Sequence, residues 1–168
     1  RSIYMVLMIP LFGFSSATNT LVSNLIGQGK STEVLTLIKR VTILSLISTS
    51  LVLVFNIFVP KQMIGFYTND ALLIKETLPT LRIISFTMFI FAIAFIQFNG
   101  VSGTGNTKTA LLIEFITISI YIISTYYIAI VLKASLPIVW CSELIYFGLL
   151  GSLSFAYLKW GNWNNISV

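Results

Sequence analysis

The chain has 168 residues, of which 57% are hydrophobic and 9% are charged; ten Lys or Arg against five Asp or Glu give a net charge of +5, and the mean hydropathy is +0.95. Because an ordinary soluble domain has roughly a quarter charged residues, this composition excludes a typical soluble enzyme, a disordered tail, a disulfide scaffold and a nucleic-acid reader. It is typical of an integral membrane protein whose partner is the lipid bilayer.

Several reactive residue types are missing or isolated. The chain has no His, which excludes imidazole zinc sites and Ser-His-Asp triads built from its own residues. Its one cysteine, Cys141, cannot form an internal disulfide and is interpreted as a small buried hydrophobe. The five acids lie far apart, without metal-ligand spacing. We therefore expect a protein that is not an enzyme and has no metal or organic cofactor.

Five apolar stretches follow one another along the chain. They run from about Ile3 to Ile26, from Val41 to Val59, from Leu81 to Phe98, from about Ala110 to Leu132, and from Leu136 to Leu158. Each is near the ~20 residues with which a helix crosses ~30 Å of hydrocarbon. Helices also satisfy their backbone groups internally in lipid, and the alternation of barrel strands is absent. The sequence predicts an all-α polytopic membrane helix bundle with five transmembrane helices.

These five stretches form a single transmembrane domain over residues 1–168. Apolar sequence begins almost at once after Arg1, and there is no initiating Met. We therefore expect the chain to be a fragment of a longer protein.

The first two connectors are short and polar. In the first, Gly27 to Arg40, Ser31-Thr32-Glu33 is expected to open a short surface helix. In the second, Pro60 to Thr80, Asn69 is expected to cap a helix ahead of Pro79, which would kink it.

The last two connectors are tighter. The third, Asn99 to Lys108, is rich in turn-forming Gly and Asn, and the fourth lies around Lys133 to Pro137. After the last stretch, Trp160 and Trp163 suit the membrane interface, where aromatic side chains act as anchors.

The basic residues indicate an orientation. Five lie on each side of the membrane: Lys30, Lys39, Arg40, Lys108 and Lys159 on one, and Arg1, Lys61, Lys75, Arg82 and Lys133 on the other. The densest cluster is in the first connector, so the positive-inside rule favours a cytoplasmic position for Gly27 to Arg40 and for Asn99 to Lys108. We expect a multi-pass protein of the plasma or inner membrane.

Polar residues in the first stretch are candidates for function. Ser16 and Asn19 are three apart and share one helix face. Gly13 and Ala17 are four apart and offer a face that another helix could approach closely. The polar face is either interhelical hydrogen-bonding glue, worth ~1 kcal/mol, or the lining of a watery cavity, with Pro10 permitting a bend. The sequence leaves both interpretations open.

The acid in the last stretch is the second candidate. Glu143 lies about seven residues into it, or ~10 Å along a helix axis. An ionised carboxylate there costs a few kcal/mol unless it is paired or hydrated. It either binds and releases a proton in a transport cycle or is a structural carboxyl bonded to a neighbouring helix.

Other polar side chains in the spans favour structural roles. Glu114 lies nearer the start of its stretch, and Arg82 can extend to the headgroups and anchor its helix. Tyr121, Tyr126 and Tyr127 could contact a cationic substrate through their rings, but packing is the commoner role.

Four motifs in order resemble one known family. Pro10 to Lys30 reads PLFGFSSATNTLVSNLIGQGK and ends in a Gly-x-Gly turn; Phe66 to Asp70 reads FYTND; Leu81-Arg82-Ile83 opens the next stretch; and Gly103 to Thr107 reads GTGNT. Together they resemble the multidrug and toxic compound extrusion (MATE) transporters. The chain departs from that family's pattern at Ser23, Gln28 and Asn106, where Gly, Ala and Asp are usual.

The resemblance implies a place in a larger molecule. The family has twelve helices in two six-helix lobes, and this chain resembles helices eight to twelve, most of the C-terminal lobe. The cation-binding acids of the first and seventh helices fall outside it, and the acid that some members have in the tenth is absent. The structural motif positions that it implies are Pro10, Gly13, Gly27, Gly29, Arg82, Gly103 and Gly105.

The implied function is antiport of organic cations or other xenobiotics against Na⁺ or H⁺, with the ion site mostly outside this chain. Ser16, Asn19 and Glu143 would then face the cavity of the lobe, and the N-terminal lobe and a small organic cation would be partners. One alternative is a flippase for lipid-linked saccharides of the same superfamily, which would need more cationic residues in its cavity. Another is a non-transporting membrane scaffold subunit.

Overall fold

The computed structural model describes residues 2–58, 60–65 and 70–163, and within these ranges it contains helices and turns without strands. The helices are α1 (Ser2–Gly27), α2 (Val34–Phe58), α3 (Pro60–Gly65), α4 (Ala71–Gly103), α5 (Thr107–Tyr126), α6 (Leu136–Trp140) and α7 (Ser142–Trp160). A 3₁₀ turn at Ser31–Glu33 precedes α2, and a π-helical turn at Tyr127–Val131 extends α5. The all-α prediction is confirmed.

Within the described residues, four segments are long and apolar enough to cross a membrane: Ser31–Val54, Leu72–Gly103, Thr107–Val131 and Leu136–Trp160. The remaining long helix, α1, has 26 residues. At a rise of ~1.5 Å per residue it is roughly 39 Å long, which exceeds the ~30 Å of a hydrocarbon core. The chain is therefore a membrane helix bundle. Four of its segments are long and apolar enough to cross a membrane, and α1 is long enough to be a fifth crossing.

Two predicted connectors are much shorter than expected. The turn Ser31–Glu33 leads directly into α2, which starts at Val34 and not at Val41, so the predicted surface helix is one 3₁₀ turn. Likewise α4 continues through Asn99 to Gly103 before the chain turns. Loop boundaries placed from hydropathy were wrong here because the helices continue through polar residues beyond the ends of the apolar stretches.

Asp70 caps the N-terminus of α4. Its Oδ1 accepts hydrogen bonds from the backbone N–H of Leu72 at 2.8 Å and of Leu73 at 3.4 Å. The predicted cap, Asn69, lies outside the described residues. Pro79 lies within α4, so the helix expected ahead of this proline and the apolar stretch from Leu81 form one continuous helix.

The last apolar stretch is two helices. The chain leaves α6 at Cys141, whose Sγ lies 3.7 Å from the backbone oxygen of Pro137, and continues as α7. Glu143 consequently lies in the first turn of α7 and not in the middle of an unbroken helix.

The two tryptophans after this stretch behave differently. Trp160 is 73% exposed, as an interfacial side chain would be. Trp163 is only 3% exposed, and its Nε1 donates a hydrogen bond of 2.9 Å to the backbone oxygen of Leu158. The prediction of Trp163 as an interfacial anchor is wrong, because its indole folds back onto the end of α7.

The centre of the bundle is α4, which packs against α1, α2, α5 and α7. Met88, Phe91, Ala92 and Ile96 on this helix are almost completely buried. Helix α7 approaches α4 closely at Gly151, where a methyl group would lie 3.1 Å from the Cα of Ala94. Helix α4 therefore fixes the positions of the elements that carry the candidate site.

Candidate functional site

A polar cavity lies between α1 and α4. Its volume is about 470 Å³, and it is lined by Phe12, Ser15, Ser16, Asn19, Thr20, Phe95 and Asn99. We call it the α1–α4 cavity. The predicted pair Ser16 and Asn19 thus shares one cavity, as the helical spacing requires.

Most hydroxyl groups in the spans bond to their own helix. Thr18, Thr49, Thr87 and Thr117 each donate to the backbone oxygen four residues earlier, at 2.6–2.9 Å. This pattern satisfies a buried hydroxyl in lipid without a second helix. Polar residues in these helices are therefore mostly not interhelical glue.

Ser16 and Asn19 differ from those residues. Neither side chain is a donor or acceptor in a hydrogen bond with any residue that the structure describes. Ser16 is exposed and Asn19 is half-buried, both toward the α1–α4 cavity. Their hydrogen-bonding groups are consequently available to water or to a ligand.

Aromatic rings form one wall of the cavity. Phe12 packs edge-on against Phe95, with ring centroids 5.7 Å apart, and against Phe91 at 5.9 Å. These separations lie in the favourable range for aromatic pairs. The cavity thus combines uncharged hydrogen-bonding groups with phenyl rings, and its described lining contains no Lys or Arg.

Two carboxylate–phenol pairs join α5 to α7. The hydroxyl of Tyr121 donates to Oε1 of Glu143 at 3.1 Å, and the hydroxyl of Tyr146 donates to Oε1 of Glu114 at 2.7 Å. The pairs are crossed, since each helix provides one acid and one phenol. The Oε2 atom of Glu114 is buried and makes no hydrogen bond within the described residues.

Glu143 therefore does not line the α1–α4 cavity with Ser16 and Asn19. It lies between α5 and α7, where Tyr121 binds it. The Glu114–Tyr146 pair was not foreseen as such. The sequence does contain a signal for these pairs. Glu114 and Tyr121 are seven residues apart in α5, and Glu143 and Tyr146 are three apart in α7. Each spacing puts an acid and a phenol on the same face of their helix.

A row of packed rings runs from the cavity to these pairs. From Phe12 it passes to Phe91, to Phe147 at 4.7 Å, to Tyr146 at 4.9 Å and to Tyr121 at 5.4 Å. It crosses α1, α4, α7 and α5 in turn. The two groups of candidate residues are thus separate in space but joined by continuous aromatic packing.

The predicted close approach at Gly13 and Ala17 is wrong within the described structure. Both residues are exposed, and a methyl group at Gly13 would meet nothing within 4 Å. The close approach is at Gly103 instead, where a methyl group would lie 2.7 Å from the backbone oxygen of Asn19. The hydroxyl of Ser23 also donates to the backbone oxygen of Gly103 at 3.0 Å.

The glycines of the motifs have different structural tasks. Gly29 and Gly105 have φ angles of +73° and +81°, which L side chains rarely adopt, so each is required by its turn. Gly103 is required by packing against α1. Gly27 has no positive φ, and nothing lies within 4 Å of a methyl group placed there.

The Oδ1 of Asn106 caps α5 by accepting from Thr109 N at 3.1 Å, and its Nδ2 donates to the hydroxyl of Tyr157 at 2.7 Å. Pro10 lies within α1. Arg82 is exposed on α4 and lines a different pocket from the α1–α4 cavity.

The motifs and the fold agree with a comparison of sequences. The sequence model of the MatE family matches residues 1–127 of the chain. The chain belongs to the MatE family. This is the family of multidrug and toxic compound efflux transporters that the motifs resemble, and it makes the chain an integral membrane protein.

One curated relative is similar in sequence to this MatE chain. It is described as "Probable multidrug resistance protein NorM" and comes from Thermotoga maritima, with 34% identity over 110 residues. The aligned region covers 66% of this chain and 24% of the relative, so the chain spans about a quarter of that protein's length. No solved structure matches the chain.

Proposed function

We propose that this chain is part of the C-terminal lobe of a secondary transporter, corresponding to helices eight to twelve. The transporter exports small organic cations in exchange for Na⁺ or H⁺, and the α1–α4 cavity lies on the substrate path. The observation that carries the proposal is the pair of polar side chains, Ser16 and Asn19, which make no hydrogen bond within the described part of the chain and lie beside the rings of Phe12 and Phe95. Membership of the MatE family supports it.

The chemistry of the cavity favours a cation over an anion. Phenyl faces attract organic cations through their quadrupole, by ~0.5–2 kcal/mol each. The hydroxyl and amide oxygens of Ser16 and Asn19 add acceptors without a fixed charge. A pyrophosphate-linked saccharide would instead need basic groups, and the described lining has no Lys or Arg. The flippase alternative is therefore disfavoured.

Exchange follows if substrate and ion prefer different conformations. A bound organic cation and an entering Na⁺ or H⁺ drive opposite changes only through their differential affinities for the inward- and outward-open states. We place the turns at Gln28–Lys30 and Thr104–Asn106 on the cytoplasmic side, where Gly29 and Gly105 shape the connections between moving helices.

Glu143 has a role in this proposal through its pair with Tyr121 and not through direct contact with the cavity. In the proposed cycle the carboxyl group exchanges a proton, and the phenol of Tyr121, which donates a hydrogen bond to it, keeps it oriented. The row of rings from Tyr121 to Phe12 provides a packed connection along which a change at Glu143 alters the cavity wall.

The first test is the substitution Asn19→Leu in the full-length protein. It keeps approximately the size of the side chain but removes the amide. We expect efflux of a fluorescent organic cation, measured in cells at equal protein levels, to fall by up to about tenfold, which corresponds to one hydrogen bond of ~1.4 kcal/mol. The matched control is Asn24→Leu, an exposed asparagine of the same helix that does not line the cavity. Equal efflux by the two variants would contradict the proposal.

The second test is Glu143→Gln, which keeps an acceptor for Tyr121 but cannot exchange a proton. We expect efflux driven by an imposed proton gradient to be reduced and its dependence on pH to flatten. Tyr121→Phe is the companion variant, because it retains the acid and removes only its hydrogen bond. Unchanged efflux together with an unchanged pH profile in Glu143→Gln would remove Glu143 from the mechanism. Absence of efflux by the unmodified protein, or efflux that does not depend on a Na⁺ or H⁺ gradient, would favour the scaffold alternative.

A further inference from the structure

We propose that a second pocket, at the N-terminal end of α4, binds one anionic phospholipid from the surrounding bilayer. The pocket has a volume of about 360 Å³. It lies between α4 and the end of α2, away from the α1–α4 cavity, and shares no lining residue with it. The proposal does not depend on the transport function.

The depth of the pocket in the membrane follows from the length of α4. With 33 residues this helix is roughly 50 Å long, so about 20 Å of it extends beyond a ~30 Å hydrocarbon core. The segment Ile83 to Gly103 contains no charged residue, whereas Lys75, Glu76 and Arg82 precede it. The charge-free segment therefore spans the hydrocarbon, and Arg82 lies at its boundary with the headgroups.

The lining of the pocket continues from that boundary into the hydrocarbon. On α4, Leu78, Arg82, Ser85 and Phe89 follow at spacings of three or four residues, so they occupy one helix face. Ser85 and Phe89 lie ~4.5 Å and ~10 Å deeper than Arg82 at ~1.5 Å per residue. Because the hydroxyl of Ser85 donates to the backbone oxygen of Leu81 at 2.8 Å, it presents little polarity to the pocket.

The opposite wall is apolar. It is formed by Leu53, near the end of α2, and by Pro60, at the start of α3. The pocket is thus a slot with mostly hydrocarbon walls, and its lining carries the guanidinium of Arg82 at the level of the headgroup boundary. This arrangement is complementary to an acyl chain below an anionic headgroup.

The chemistry of Arg82 selects a phosphate. A guanidinium binds phosphate oxygens through two parallel hydrogen bonds, and Arg82 is exposed at the level where lipid phosphates lie. A zwitterionic headgroup offers the same phosphate but adds a positive charge beside it. We therefore expect phosphatidylglycerol to be preferred over phosphatidylcholine with the same acyl chains.

The test is lipid binding to the delipidated full-length protein in detergent, with bound lipids counted by native mass spectrometry. Dioleoyl phosphatidylglycerol and dioleoyl phosphatidylcholine are titrated separately. We expect Arg82→Gln to weaken the first phosphatidylglycerol by about fivefold, the factor for ~1 kcal/mol from one basic residue at an anionic surface. Arg82→Lys, which keeps the charge, is expected to lose less affinity for phosphatidylglycerol than Arg82→Gln.

Two controls separate the pocket from general charge attraction. Lys108→Gln removes an equal charge at the opposite end of the bundle and is expected to leave binding unchanged. Leu78→Trp keeps Arg82 but fills the pocket, and is expected to weaken binding as much as Arg82→Gln. Equal weakening by Arg82→Gln and Lys108→Gln, or full binding by Leu78→Trp, would overturn the proposal.

The source of the phosphate is tested by competition. Glycerophosphoglycerol carries the headgroup without acyl chains, and we expect it not to displace phosphatidylglycerol at equal concentration. Displacement would show a site for a free phosphate ester and would overturn the lipid proposal. Absence of any preference of the unmodified protein for phosphatidylglycerol over phosphatidylcholine would do the same.

Discussion

The substitution Gly103→Ala tests the contact between α1 and α4 that positions the α1–α4 cavity. A methyl group at this position would lie 2.7 Å from the backbone oxygen of Asn19, 2.8 Å from Cβ of Val22 and 3.1 Å from its Cγ1. Backbone and Cβ atoms cannot rotate away. The two helices must therefore separate for the variant to fold.

The magnitude follows from these distances. Carbon atoms pack best at about 3.5–4.0 Å, so the Cβ of Val22 must retreat by roughly 0.7 Å. Overpacking of this kind costs ~1–3 kcal/mol. Separation also weakens the hydrogen bond from Ser23 to the backbone oxygen of Gly103, and such interhelical bonds contribute ~0.6 kcal/mol in membranes. We expect a net loss of about 2 kcal/mol in the free energy of unfolding.

The matched control is Gly13→Ala. A methyl group there meets nothing within 4 Å, so only helix propensity changes, which favours Ala by ~0.5–1 kcal/mol. The assay is unfolding of the full-length protein in mixed detergent micelles, followed by intrinsic fluorescence. If the two variants have unfolding free energies within about 0.5 kcal/mol of each other, the α1–α4 contact is not as close as described.

Two further substitutions test the turns of the motifs. Gly29→Ala is expected to lower the free energy of unfolding by ~1–2 kcal/mol, because the φ angle of Gly29 is +73°. Gly27→Ala, two residues earlier, is the control and is expected to leave the free energy of unfolding unchanged. Equal effects of the two substitutions in the same unfolding assay would refute the assigned turn. Asn106→Ala and Tyr157→Phe remove the two ends of one 2.7 Å hydrogen bond. In a double-mutant cycle their effects on the free energy of unfolding are therefore expected to be coupled by ~0.5–1.5 kcal/mol. Additive effects on the free energy of unfolding would refute that hydrogen bond.

The fold class was predictable because length and hydropathy alone determine it. Stretches of about 20 apolar residues in lipid have only the helix as a way to satisfy every backbone group. Helix ends were less predictable, because a polar helix end and a polar loop have the same composition. The start of α4 illustrates this: Asp70 caps it eleven residues before the apolar stretch at Leu81 begins.

Helix contacts could not be predicted from small residues alone. The spacing of Gly13 and Ala17 is the pattern of a close helix approach, yet both are exposed, and the contact is made at Gly103. A small residue permits close packing but does not specify which helix packs against it. The rotation of α1 about its helix axis depends on its packing in the whole bundle. The sequence of α1 alone does not determine it.

The candidate site was predictable in part. The spacing of Ser16 and Asn19 was sufficient to place them on one face, and the structure adds the rings that face them. The partner of Glu143 was not predictable, because Tyr121 lies 22 residues away on another helix. Similarly, the folding back of Trp163 onto Leu158 depends on how the chain leaves α7.

The attachment of α5 has a consequence for the assembly of the protein. Over Thr107–Tyr126 this helix buries only Ala110, Ile113 and Thr117, so shape complementarity holds it weakly. Its two phenol–carboxylate bonds to α7 are directional and have a fixed register. In a solvent of acyl chains, where apolar contact distinguishes poorly between protein and lipid, those bonds select α7 as the neighbour of α5 and determine how far one helix can slide along the other.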